Sequence, residues 1–340
     1  MEVGSTVGII ANPASARDIR RLVAHGAAVT TNDKINVLKR VLAGLGSVEV
    51  GKVLSMTDLA GVSAGLLALS DRRSTSGWPA IEFVDQVVRQ SEADTLAATE
   101  AMVAAGVGAI VVLGGDGTNR LVASRCGDIP LVSISTGTNN AFARPIEPTV
   151  AGIAAGLVAR GRVAVDVACR RAKSLTVESG TRIERALVDV AIVDGDVVGS
   201  GAIWDPATIS ELFVCFAEPD AIGLSSIGSQ LGPVDRYGTS GLAIKLGHPS
   251  TRLVRAPIAP GLVVDVEVVS FEPVRCGQPV RVSASSGVVA IDGERMFHFG
   301  PDNRPTVSLQ TDGPLEIDVP KTLAHAARSG VTSIAAQECA

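Results

Sequence analysis

The chain reads as an α/β domain on a parallel sheet followed by a mostly β domain. Short Val- and Ile-rich runs in the first half, such as Val107–Leu113 and Leu131–Ser135, alternate with helix-compatible stretches. That is the pattern of buried parallel strands joined by helices. From Val163 onward the helical spacing gives way to Val-rich runs broken by Gly, Pro, Asp and Ser. A length of 340 residues suits about two domains. The expected division is 1–160 for the α/β domain and 161–320 for the β-rich domain, with 321–340 a terminal helix and tail packing back on the first.

Val7–Ala11 gives a first strand ending in the Asn12-Pro13 turn, and Ala16–Val23 is compatible with a helix. Ile35, Val37, Leu38, Val41 and Leu42 set a helical period over Asn32–Leu42. Val48–Leu54 reads as a strand, and Thr57 or Asp58 caps a helix running to Leu69. That helix holds Gly61-Val62-Ser63-Ala64-Gly65, a formal G-x-S-x-G match. A nucleophile elbow needs its serine at a sharp turn straight after a strand, so Ser63 is read as a helix residue. Ser70–Pro79 is a polar surface loop, and Ile81–Val88 fits either a strand or a helix start. Ser91 or Asp94 caps an alanine-rich helix through Ala105, stopped at Gly106. The strand Val107–Leu113, the turn Gly114–Thr118 and a helical run Asn119–Ser124 follow. Pro148–Arg160 is helical.

In the second half the strands are Ala186–Val193, Leu242–Leu246, Leu262–Val269, Val280–Ala284, Val288–Ile291 and Thr306–Leu309. Ile222–Leu231 is a short helix among them, Lys321–Ala327 a last helix, and Thr332–Ala340 a loosely held tail.

Composition excludes several function classes. A net charge of −5 leaves no basic footprint for nucleic acid. The longest apolar stretch, Ala101–Leu113, contains glycines and is too short to span a bilayer. Met1–Thr6 has neither the basic start nor the apolar core of a secretion signal. Five scattered cysteines lack metal-ligand spacing and read as reduced thiols rather than a zinc site. The expectation is a cytoplasmic protein acting on small molecules.

The chemistry centres on Gly114-Gly115-Asp116-Gly117-Thr118. Glycine tolerates φ > 0, so a glycine turn can aim successive N–H groups at one point, and the following helix adds its positive end. This suits phosphate, with Asp116 placed to hold a metal ion or take a proton, and the same residues equally suit an ordinary glycine-rich strand–helix turn. A second polar loop, Ser135–Arg144, ends the next strand. In a parallel sheet both loops lie on the edge where α/β folds bind ligands. There is no Walker A lysine motif and no G-x-G-x-x-G after a strand.

Asn12-Pro13, the GGDGT stretch and the later GTNNAFAR segment together resemble the superfamily of NAD kinases and diacylglycerol or sphingosine kinases. The stretches ANPASARDIRRL, VVLGGDGTNR, STGTNNAF and IGLSSIGSQLGPV are most similar to the acetoin catabolism protein X branch, grouped with the ATP-NAD kinases. The resemblance implies a three-layer α/β nucleotide-binding domain and a sandwich-like β-rich domain, with the active site in the cleft. It implies ATP and Mg²⁺ as cofactors, NAD as a possible acceptor, and a homo-oligomer, commonly a dimer.

By the same resemblance Gly114, Gly115, Gly117 and Thr118 cradle the ATP phosphates, and Asn12, Gly137, Thr138 and Asn140 complete the pocket. Asp116 acts through Mg²⁺ or helps activate the acceptor hydroxyl. Asp292 and Glu294, of Asp292-Gly293-Glu294, enter the cleft, with Glu294 as base. From the residues alone, Asp-Gly between strands reads as a plain hairpin turn, and it is the preceding motifs that make it a site.

Two departures stand out. Ala141 occupies the place of an acidic residue of the lipid kinases, and Leu224–Ser229 lacks the tyrosine of the NAD kinase dinucleotide segment. The expected activity is ATP-dependent phosphorylation of a hydroxyl, NAD kinase-like. The alternatives are a lipid kinase, or a non-catalytic nucleotide-binding accessory protein linked to acetoin catabolism.

Overall fold

A computed structural model describes residues 6–15, 24–26, 29–70, 77–137, 139–194 and 201–332. The helix expected over Ala16–Val23, most of the loop Ser70–Pro79, Thr138 and most of the tail Thr332–Ala340 lie outside the described residues.

The first half is a three-layer α/β unit. Strands β1 (Thr6–Ala11), β2 (Lys52–Ser55), β3 (Ala80–Phe83), β4 (Ala109–Gly114) and β5 (Leu131–Ser135) form a parallel sheet. Every residue of β4 is buried, as expected of a central parallel strand covered on both faces. The order β3-β2-β1-β4-β5 reverses direction between β1 and β4. The crevice at the C-terminal ends of those two strands is the topological switch point of the sheet, where open α/β folds bind ligands.

Helices α1 (Thr31–Ser47), α2 (Val62–Ser70) and α5 (Pro148–Ala159) cover one face, and α3 (Glu92–Ala104) and α4 (Asp116–Ala123) the other. Helix α1 starts at a capping box, in which Thr30 Oγ1 accepts from Asp33 N and Asp33 Oδ2 accepts from Thr30 N. Its apolar Leu38, Val41, Leu42 and Leu45 are fully buried. Close approach to α5 depends on Gly44 and Gly152, where a Cβ would lie 2.2 Å from Thr149 O and 2.4 Å from Val41 O.

The chain then crosses to the second half and returns. A single-turn helix α6 (Val165–Ala168) leads into β6 (Cys169–Arg171), which joins the first sheet beside the late strand β18 (Leu315–Ile317). The last helix, α8 (Val319–Arg328), buries Val319 and Ala326 in the core of the first half.

Between these, β7 (Ser174–Ser179), β8 (Arg182–Ala186), β14 (Pro279–Arg281) and β17 (Thr306–Gln310) make a four-stranded antiparallel sheet. A seven-stranded sheet contains β9 (Asp189–Val193), β10 (Ile209–Val214), β11 (Ser240–Leu246), β12 (Arg252–Ala259), β13 (Leu262–Arg275), β15 (Gly287–Ile291) and β16 (Glu294–Phe299). Leu175, Val177 and Leu309 from the small sheet pack on Val190, Ile192 and Val289 from the large one, giving a sandwich. Helix α7 (Ser225–Leu231) covers the outer face.

One expectation needs correction. The stretch Ala186–Val193 is not one strand, because the chain leaves the small sheet at Ala186 and enters the large one at Asp189. The amides of Leu187 and Val188 are diverted to the Asp292 carboxylate instead of a neighbouring strand. The undecided stretch Ile81–Val88 forms the edge strand β3, which ends at Phe83.

Candidate active site

The helix following β4 begins three residues earlier than its apolar period suggests, with Gly115 as N-cap and Asp116 its first residue. The expected turn with φ > 0 does not form. Among the described residues in that region Gly114, Gly115 and Gly117 are not among the left-handed positions, and Gly115 sits at φ −97°, ψ −172°. Glycine is required there for space. A Cβ on Gly114 would lie 2.5 Å from Thr118 Cβ, and one on Gly115 2.9 Å from Asn140 Oδ1. At Gly117 nothing lies within 4 Å of such an atom, so the first turn of α4 faces an open cleft.

That cleft has a volume of about 460 Å³. From the first half it is lined by Asn12, Gly115, Asp116, Gly117 and Thr118, and from the second loop by Gly137 and Asn140. Asp292 and Glu294 enter from the β-rich half. Gly114 lies one residue back in β4, and Thr138 is outside the described residues.

Hydrogen bonds tie these pieces together. Asn12 Nδ2 donates to Thr118 Oγ1 at 2.8 Å, joining the end of β1 to α4. Asn140 Nδ2 donates to Ser135 Oγ at 2.8 Å, and its amide fills the space left by the glycines 115 and 137.

Three helix N-termini open on the cleft, and they are not equivalent. Asp58 occupies the start of α2 by accepting from the amides of Ala60, Val62 and Ser63. Ser63 Oγ also bonds Asp58 Oδ2 at 2.7 Å, so this serine is a helix-start residue and no elbow nucleophile. Helix α3 carries Glu92 and Asp94 in its first turn. Among the described residues no side chain caps α4, whose N-cap is Gly115, so its N–H groups and positive end face the cleft.

Asp116 and Asp292 have parallel placements. Asp116 accepts from the amides of Ala141 (2.8 Å), Phe142 (3.0 Å) and Ala143 (3.1 Å). Burial pushes its pKa up, against the pull of those three amides and of Arg236. Asp292 Oδ1 accepts from Leu187 N (3.0 Å) and Val188 N (2.8 Å), and Arg120 Nε lies 3.7 Å from Oδ2. Burial pushes Asp292 up to about 7, opposed by Arg120 and the amides and reinforced by Asp116. Asp292 also sits at φ 50° and Gly293 at φ 77°, so the segment is a hairpin turn between β15 and β16 as well as part of the cleft.

The described lining carries six carboxylates, Asp58, Glu92, Asp94, Asp116, Asp292 and Glu294, and no Lys or Arg. Among the described residues no group of three His, Cys, Asp or Glu is arranged to hold a metal ion. The segment Leu224–Ser229 does not line the main cleft, but Leu224 lines a small pocket beside it with Asp116, Asn139 and Asp292, and Ser226 Oγ donates to Gly223 O at 2.7 Å.

Three cations escaped the sequence reading. Lys34 is 1% exposed and donates to the carbonyls of Asn12, Pro13 and Ser15 at 2.8, 2.9 and 3.2 Å, fixing the Asn-Pro turn. Arg120 and Arg236 are buried beside Asp292 and the second loop. The only signal for Lys34 was its place one residue after the capping box; nothing local marks Arg236.

The first half, residues 7–163, matches the family model for the ATP-NAD kinase N-terminal domain. Residues 173–312 match that for the acetoin catabolism protein X C-terminal domain. Acetoin catabolism protein X of Cupriavidus necator is 43% identical over 336 residues, covering 96% of this chain and 94% of that protein. The chain belongs to the acetoin catabolism protein X family. An NAD kinase from Archaeoglobus fulgidus, solved in complex with ATP, is 17% identical and covers 83% of this chain and 98% of its own. Its TM-score of 0.31 is too low for that structure to locate a site here. No helix of this family member, among the described residues, is long and apolar enough to cross a membrane.

Proposed function

We propose that this protein transfers the γ-phosphoryl group of ATP to a hydroxyl, with NAD as acceptor and NADP as product. The observation that supports this reading is the uncapped first turn of α4, opening on Gly117 into a cleft at the switch point of the sheet. A helix start of that kind offers N–H donors and a positive end to a phosphate. Phosphoryl transfer asks chiefly for positioning, charge neutralisation and a base. Glu294, at the mouth of the β15–β16 hairpin, would take the acceptor proton as the acceptor oxygen bonds the γ-phosphorus and ADP leaves.

Six carboxylates and no described cation in the lining favour a nucleotide whose charge is already neutralised. Mg²⁺ fits that need: it keeps water and phosphate ligands and takes only one or two carboxylates. Asp116, whose three amide bonds leave one acceptor position, would hold it together with the phosphates. Bound there, Mg²⁺ would supply charge neutralisation on the transferred group.

The second reading, a nucleotide-binding accessory protein of acetoin catabolism, is favoured by the commitment of Asp116 and Asp292 to backbone amides. Assay of purified protein with ATP, Mg²⁺ and NAD for NADP, then with diacylglycerol for its phosphate, separates them. NADP should form, and Glu294→Gln should cut kcat by about 100-fold or more with ATP affinity retained. Bound nucleotide without product from either acceptor overturns the kinase reading in favour of the accessory one.

A further inference from the structure

Arg236 lies between α7 and β11, in the β-rich half, yet its guanidinium is aimed at the second loop of the first half. It is 1% exposed. Nη2 donates to Ala141 O at 2.7 Å and to Glu218 Oε2 at 3.0 Å. Nη1 donates to Phe142 O and to Glu316 Oε2, both at 2.9 Å. Both hydrogens of each terminal nitrogen are thereby used. The guanidinium plane is flanked by the rings of Phe216 (4.2 Å) and Phe142 (5.0 Å). An ammonium has three donors at one point and cannot match four acceptors set around a plane.

The same two peptide units bond in the opposite sense to Asp116. The N–H groups of residues 141–143 run to its carboxylate, while the C=O groups of 141 and 142 run to Arg236. Glu218 also pairs with Arg144 at the end of the loop. Asn139 Nδ2 donates to Ile258 O of β12 at 2.9 Å, a second tie to the β-rich half. The loop that carries Asn140 into the gap left by Gly115 and Gly137 is therefore held from both halves.

We infer that Arg236 is a positioning residue of the phosphate site: it fixes the 139–144 loop against the start of α4 and couples the β-rich half to nucleotide binding. It does not line the cleft, so it acts through the loop. The inference rests on the reading that the cleft takes a nucleotide.

Amide hydrogen exchange and MgATP titration of the full chain test it, comparing wild type with Arg236→Lys. Exchange should quicken over residues 139–144 while β4 and β9 keep wild-type protection, and MgATP affinity should fall about tenfold, the loss of one charged hydrogen bond. Glu218→Gln, which keeps the guanidinium, should shift both readouts in the same direction and serves if Arg236→Lys does not fold. Wild-type exchange over the loop in a folded variant overturns the inference, as does a loosened loop with wild-type MgATP affinity. If wild type itself binds no MgATP, the proposed function fails. The coupling to nucleotide then fails with it, while the exchange result still decides whether Arg236 fixes the loop.

Discussion

Asp116 and Asp292 each lay a carboxylate across consecutive backbone amides, one on each wall of the cleft. A hydrogen bond to a charged group contributes about 1.5–3 kcal/mol, and a buried donor left without a partner costs about 1–3 kcal/mol. Asp116→Asn would turn an NH₂ group toward at least one of the amides of 141–143, so a donor would face a donor. The expected loss is about 1–3 kcal/mol in urea unfolding. Wild-type stability in that variant would contradict the amide clamp. Glycine surroundings drew attention to Asp116 and the family resemblance to Asp292, and both side chains line the cleft. Sequence reasoning could not see their partners, because the amides that Asp292 holds lie about a hundred residues upstream and carry no side-chain signature.

At the scale of elements, the uniform apolar runs were readable and the departures from them were not. Strand β4 follows from its buried run, helix α1 from its apolar period and helix α3 from its cap residues. The break between β8 and β9 does not, since Leu187 and Val188 are as apolar as their neighbours and only the Asp292 carboxylate interrupts the pairing. The glycines of the GGDGT stretch were assigned a backbone conformation they do not adopt. Their role is to leave room for Thr118, Asn140 and the cleft.

Helix α1 contributes to the site through Lys34, which gathers three carbonyls of the turn after β1. Replacing it by Met should release that turn, costing about 1–3 kcal/mol in stability and weakening MgATP binding. Unchanged affinity in Lys34→Met would separate the Asn-Pro turn from the nucleotide site.

Across the whole molecule, the two halves meet where Arg120 of α4 faces Asp292 of the β15–β16 hairpin. Burial raises Asp292 from 3.8 to about 7, so the folded chain keeps a proton that the unfolded chain has already lost. Its contribution to stability is complete below about pH 4 and is lost as pH rises through about 7. Asp116 and Glu316, both also pushed up by burial, act in the same direction. Urea midpoints should therefore decline from about pH 4 to pH 7, and Asp292→Asn should flatten part of that decline. An identical decline in the variant would assign the titration to other groups.

The uncapped start of α4 is the feature on which the functional account stands, and Gly117 is the place to probe it. Alanine at 117 meets no atom within 4 Å, and in a helix it is favoured over glycine by about 0.5–1 kcal/mol. MgATP titration of wild type and Gly117→Ala, with melting temperatures recorded alongside, is the most direct measurement. The account predicts binding by wild type, and a variant at least as stable that binds about tenfold or more weakly, because a methyl group stands where the phosphates approach the amides. Equal affinity in the two proteins would contradict it and place the phosphates away from α4.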